Sequence, residues 1–200
     1  MQAEDTYKTI DKKAEGFFKD RGSKFIALAF PVESEQKVQE YRAILRKKYY
    51  DARHHVYAFH IGKDQPIYRS SDDGEPANSS GPPILGQIKS SGLTNILIVV
   101  VRYFGGTKLG IPGLINAYKS AANDSLQNAN IITKVITRRL IFEFNYPAMS
   151  EVMRIVKSSG VNVEKQEFVE NCMLDISIRI SKFEEIYNKL KIIKSVKINS

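Results

Sequence analysis

The 200-residue sequence has one cysteine, Cys172, and no tryptophan. A single thiol cannot close an internal disulfide, so a disulfide-stapled scaffold is excluded. Cys172 lies in a strand-like stretch and reads as a small apolar core residue in a reducing cytosol. No apolar run approaches the ~18 residues that a membrane span needs, and no membrane partner is expected. The opening MQAEDTYKTIDKK mixes acids and bases before any apolar block, so no signal peptide is expected there. Histidine is scarce as well, with His54, His55 and His60 in one stretch. In a strand, His54 and His60 would share a face about 20 Å apart. Without a cysteine to help, they are not expected to hold zinc.

Acidic excess is also missing. Lys and Arg number 30 against 22 acids, a net charge of +8. A basic surface raises non-specific affinity for nucleic acid and speeds encounter with it. The surplus is spread along the chain: from Thr137 onward there are 11 cations against 8 acids, so no polybasic tail carries it. With 42% apolar and 26% charged residues the chain can bury a core, and disorder is not indicated.

The second half has a clear pattern. Residues 138–145, RRLIFEFN, alternate as a strand does. Pro147 suits a first helical turn, Met149, Val152, Met153 and Val156 fall at helical spacing, and Gly160 ends the helix. Residues 161–168 and 172–180 alternate with period two around a polar turn, as in a hairpin. Ser181-Lys182-Phe183-Glu184 has the form of a capping box opening a helix to about Lys191, and residues 192–198 read as a closing strand. The order is β-α-β-β-α-β, the split βαβ or ferredoxin-like pattern. No catalytic cluster is visible in it.

The first half opens with two apolar runs around the turn signal Asp20-Arg21-Gly22-Ser23. Ser34 can cap a helix through about Lys48, with Val38, Tyr41, Leu45 and Ile44 as inward candidates. Residues 54–62 are strand-like, whereas 68–83 are too rich in turn formers to be regular, and loops of that length are commonly functional. Pro82 and Pro83 start a short helix ending near Gly92. NILIVVV (95–101) reads as a strand buried on both faces. A helix from Pro112 to about Asn128 packs through Leu114, Ile115, Tyr118, Ala121, Ala122 and Leu126. The fold class expected is α+β in two domains, residues 1–135 and 136–200.

Three groups of residues could carry chemistry. The turn RYFGGTKLGIPGL (102–114) sets Gly105, Gly106, Gly110 and Gly113 between two cations, Arg102 and Lys108. Free amides at the following helix start, with the helix dipole, favour an anion there. The same glycines also suit a plain strand-to-helix connection. GxxxxGK followed by Ser or Thr is absent, so this is no Walker A loop, and no cofactor is implied. The acidic loop Asp72-Asp73-Gly74-Glu75-Pro76 could hold Mg²⁺ or Ca²⁺, or its carboxylates could cap nearby amides or pair with Arg69. Arg42, Arg46, Lys47, Lys48 and Arg53 crowd a helix end, where cations complement the dipole. Together with Tyr49 and Tyr50 they could instead meet nucleic acid.

The acidic loop and the segment Arg102 to Gly110, with Ser23-Lys24-Phe25-Ile26-Ala27 and a ferredoxin-like C-terminal half, resemble the IMPACT/YigZ family. The family continues its acidic loop as Gly-Thr-Ala where this chain has Asn78-Ser79-Ser80. It places Ala-Gly-Gly-Leu-Val-Arg where Ile111 to Asn116 stand here, so the family's arginine is replaced by Asn116. The resemblance implies a ribosomal protein S5 domain 2-like first domain and a second domain like the last domain of the translocation elongation factor. It also implies a cytoplasmic setting in translation, with RNA or the ribosome as partner. Eukaryotic relatives control initiation under stress by competing for a protein partner, using an extra N-terminal domain for which no room is expected here. Two other readings stand beside RNA binding. One is an enzyme or nucleotide switch that sets Asp72, Asp73 and Glu75 with a metal against a phosphate on the turn. The other is a protein-interaction module.

Overall fold

The computed structural model describes residues 5–63, 65–168 and 171–199. Among these, two compact units are formed. One is Tyr7–Lys134; the other joins Met1–Thr6 to Val135–Ser200.

The larger unit is built on a five-stranded sheet. Its strands are β2 (Ala14–Asp20), β3 (Ser23–Pro31), β4 (His54–Ile61), β5 (Ile67–Ser71) and β6 (Ile96–Tyr103), in the spatial order β2-β3-β6-β4-β5. Every neighbouring pair is antiparallel. α1 (Glu35–Lys48) covers one face, and α2 (Gly81–Ser90) and α3 (Gly110–Gln127) cover the other. This explains β6: Ile96 to Arg102 are all buried, with even-numbered residues packing under α2 and α3 and odd-numbered ones under α1. Burial on both faces selects the continuous apolar run, and here it does so within an antiparallel sheet. A further pair of strands, β1 (Thr6–Ile10) and β7 (Ile131–Val135), forms a two-stranded sheet. Neither was visible as a period-two pattern.

Local signals account for most element ends. Arg21 (φ 43°) and Gly22 (φ 77°) both take left-handed backbone, as a two-residue hairpin turn requires. Ser34 Oγ accepts the Lys37 N–H at 3.2 Å, capping α1 as expected. Four expectations for this unit change. Residues 67–71 are a strand, paired with β4 from Tyr57–Ser71 to Ile61–Ile67, because the sheet edge recruits backbone regardless of turn-prone side chains. Ile44 and Ile115 are 57% and 38% exposed, since each lies off the buried arc of its helix. β6 runs on through Tyr103, and α3 begins at Gly110, ahead of Pro112.

The smaller unit pairs β8 (Thr137–Asn145), β9 (Asn162–Glu167), β10 (Asn171–Arg179) and β11 (Lys197–Asn199) in the order β11-β8-β10-β9. With α4 (Met149–Ser159) and α5 (Phe183–Lys191) the chain order is βαββαβ. Pro147 sits in a single 3-10 turn leading into α4, and Gly160 ends that helix with φ 64°. Cys172 is fully buried among Leu140, Phe142, Phe144 and Ile176. Residues 169 and 170 of the expected hairpin turn lie outside the described residues, as do the first four of the chain.

Two readings fail in this unit. The capping box does not form: Lys182 is the N-cap of α5 and makes no side-chain cap bond. Ser181 instead gives its N–H (2.9 Å) and its hydroxyl to the Asp5 carboxylate, a distant acceptor that competes for the same donor. The closing strand is also only three residues, because residues 192–195 form turns after α5.

Candidate functional site

The register brings four connections to one end of the five-stranded sheet. Asp20 pairs with Ser23, Lys24 with Tyr103, Arg102 with His54, and Tyr57 with Ser71. The β2–β3 turn, the α1–β4 loop, the acidic loop after β5 and the glycine-rich turn after β6 therefore share that end.

Each carboxylate of the acidic loop is turned inward. Asp72 accepts the N–H groups of Asn78 (2.8 Å), Ser80 (3.0 Å) and Gly81 (2.8 Å), and the Ser80 hydroxyl (2.7 Å). Burial pushes its pKa up, but these four bonds outweigh that and hold it below the ordinary carboxylate value. Asp72 thus serves as the cap of α2, at whose start the N-cap Ser80 makes no side-chain cap bond. An amide here would set its NH₂ against the Asn78 N–H. Asp72→Asn is expected to lose about 1–3 kcal/mol of stability, read by urea unfolding.

Asp73 takes Arg46 at 2.6 Å and the His55 N–H at 2.7 Å. Glu75 Oε1 takes Arg102 Nη1 at 2.6 Å and the Tyr118 hydroxyl at 2.7 Å. Arg69 pairs with Glu35 at 3.1 Å and not with the acidic loop. Among the described residues no three of His, Cys, Asp and Glu are grouped to hold a metal ion.

Arg102 is therefore not a free phosphate contact. Its side chain is 7% exposed against 4% for Glu75, and its Nε is buried without a hydrogen-bond partner. The guanidinium lies 5.5 Å from the Phe25 ring centroid and 5.6 Å from that of Phe104, attractive placements for a cation. The pair joins the acidic loop to the strand that leads into the glycine-rich turn, and Tyr118 ties both to α3. Burial, then the Glu75 charge, pushes the Tyr118 phenol well above its usual value, so it remains a proton donor.

The glycines play different parts. Gly105 packs on the β2–β3 turn, where an added Cβ would stand 1.9 Å from the Gly22 carbonyl carbon, and its N–H reaches Ser23 Oγ at 3.1 Å. Gly106 (φ 89°) has open space around it. Gly110 is the first residue of α3 and Gly113 packs against Leu109. The N-cap, Leu109, makes no side-chain cap bond, and no acid lies in the first turn. Of the expected phosphate contacts, then, Lys108 and Gly110 at the helix start are exposed, whereas Arg102 is buried.

The histidines each meet a backbone carbonyl: His54 Nδ1 to Asp73 at 2.9 Å, His55 Nε2 to Tyr49 at 3.1 Å, His60 Nδ1 to Leu93 at 3.0 Å. Burial, then the Arg46 charge, lowers the His55 pKa, which keeps it neutral beside the cations. Asp51 accepts the Tyr103 hydroxyl at 2.8 Å; burial, then this bond, pushes that phenol up to about 12. Cations remain over. Arg21, Lys47, Arg53 and Lys108 are exposed and have no ion pair among the described residues, and there the Asp20 carboxylate at this end has no partner either. Phe104 is 56% and Tyr50 85% exposed beside them.

Sequence reasoning missed Tyr118, which its helical spacing assigned to packing alone, and Arg21, which read only as part of a turn signal. Counting cations on the hairpin around Gly22 would have found the second.

The Impact N-terminal domain family matches residues 21–126, a span that holds all four connections and all of α3 but its last residue, and this chain belongs to the IMPACT family. It is 30% identical over 166 residues to the IMPACT family member YvyE of Bacillus subtilis, covering 83% of this chain and 76% of that one. It is 28% identical over 170 residues to YigZ of Escherichia coli, covering 84% and 83%. A crystal structure of a hypothetical protein shares the fold, with a TM-score of 0.73 at 24% identity over 99% of this chain and 98% of that one.

Proposed function

We propose that this chain is a cytoplasmic, translation-associated protein that binds RNA or the ribosome through the end of the five-stranded sheet around the glycine-rich turn. The observation that carries this reading is an imbalance of partners. Among the described residues Asp51, Asp72, Asp73 and Glu75 are engaged internally, which leaves Asp20 alone against Arg21, Lys47, Arg53 and Lys108, all exposed and without an ion pair. Such an arrangement suits a phosphate backbone, which the start of α3, with no side-chain cap bond and no acid in its first turn, also favours. The S5 domain 2-like fold of the larger unit, the likeness of the smaller one to an elongation-factor domain, and the translation setting are what the family resemblance implies. They agree in pointing to RNA. Among the described residues no helix is long and apolar enough to cross a membrane.

The test is binding to ribosomes and to generic RNA across a salt series. Lys108→Ala with Arg21→Ala is expected to weaken both about uniformly over sequence and to flatten the slope of log affinity against log salt by ~1–2. Arg102 is left intact in that variant, because removing it disturbs the fold. Absence of salt-dependent binding by the wild type would overturn the proposal. A thermal shift with nucleotide and Mg²⁺ would then favour the enzyme reading, and salt-insensitive capture of a protein the interaction module.

A further inference from the structure

The same end of the sheet has an open face beyond the basic rim. The register sets Lys19, Lys24 and Tyr103 side by side on β2, β3 and β6, and the next row on that face contains Phe17 and Ile26. Residues of this parity on β3 and β6 pack under α1 further along the sheet, at Leu28, Phe30, Val99 and Leu97. At the β2 edge α1 gives no such cover: Phe17 is 46% exposed, and Lys19 and Lys24 are exposed.

Two cations directly opposite each other across strands repel and cost stability. Neither Lys19 nor Lys24 has a carboxylate partner among the described residues. Of the nearby acids, Glu15 is held by Lys13 and Asp51 by Tyr103, while Asp20 falls on the opposite face of β2 by strand alternation. Lys19 Nζ lies 5.1 Å from the Phe17 ring centroid. The row thus joins an uncompensated pair of ammonium groups to an exposed ring that a cation already flanks.

We infer that this face is a nucleotide subsite for single-stranded RNA, in which one unpaired base stacks on Phe17 and its phosphate bridges Lys19 and Lys24. This rests on the RNA reading above and adds a preference. A base inside a duplex cannot present its flat face to Phe17, so the subsite selects unpaired strand, whereas the lysines and amides of the rim are indifferent to pairing. An anion between the two ammonium groups also relieves their repulsion.

The experiment is fluorescence anisotropy with the full chain, using a labelled oligouridylate of about twelve nucleotides and the same strand annealed to oligoadenylate. The single strand is expected to bind tighter than the duplex. Phe17→Leu, at an exposed position that keeps the fold, is expected to weaken single-strand binding about tenfold and leave duplex binding unchanged. Lys19→Gln with Lys24→Gln is expected to flatten the single-strand salt slope by ~0.7, the value for one phosphate, and, without RNA, to raise the melting temperature. Wild-type single-strand affinity in Phe17→Leu, or equal affinity for duplex and single strand, overturns the subsite. If Lys108→Ala with Arg21→Ala still loses affinity in that case, the rim reading survives while the subsite fails. No binding to either probe sinks both.

Discussion

Glu75→Ala is expected to destabilise the Tyr7–Lys134 unit by about 3–5 kcal/mol, the cost of leaving one member of a buried ion pair behind. The Glu75 and Arg102 side chains are 4% and 7% exposed, and a single oxygen, Oε1, accepts from both Arg102 and Tyr118. Its removal orphans a guanidinium whose Nε already has no partner, together with a buried hydroxyl. Glu75→Gln keeps an acceptor but loses the charge, and is expected to fall between wild type and alanine. Glu75→Leu combined with Arg102→Met is expected to regain much of the loss, because well-packed apolar side chains remove the need for pairing. Urea unfolding of wild type, Glu75→Leu, Arg102→Met and the double variant closes the cycle. Additive losses in the double variant would show that the two side chains do not act as a pair.

Gly105→Ala is the second large effect. A Cβ there would meet backbone atoms of the β2–β3 turn, the Gly22 carbonyl carbon at 1.9 Å and the Ser23 nitrogen at 2.1 Å. Backbone cannot swing aside as a side-chain tip does, so the two turns must part. The expected loss is about 3 kcal/mol, the upper end for overpacking. Because separation moves Arg21 away from Lys108, RNA affinity is expected to fall with stability, measured at a temperature where the variant is still folded. Gly106→Ala is the contrast. It meets open space and carries only the left-handed backbone strain of φ 89°, about 1–2 kcal/mol. If Gly105→Ala were no worse than Gly106→Ala, the turn contact would not hold the site together.

The larger of these effects was hidden in the sequence for a physical reason. Arg102 and Lys108 look alike as cations flanking glycines, but strand alternation places Arg102 on the face beneath α2 and α3, next to Phe25 and His54 in register, where a charge requires a partner. The partner, Glu75, lies 27 residues away in a loop whose only local clue was its acidity. The capping box at Ser181 failed in the same way: local pattern offered Glu184, and Asp5, 176 residues distant, took the serine.

By itself the sequence determined those features that depend on neighbouring residues. These include the buried run of β6, the Ser34 cap, the Arg21-Gly22 turn, Pro147 before α4 and Gly160 after it, and the βαββαβ order of the second half. Periodicity, capping and left-handed backbone are properties of a few consecutive residues, so they can be read directly. The tertiary structure alone decided which charges stay free. Whether a carboxylate caps a helix, buries itself against an arginine or waits for a metal depends on which donors the fold brings within about 3 Å. Those donors come from strands and loops that only the sheet register sets side by side.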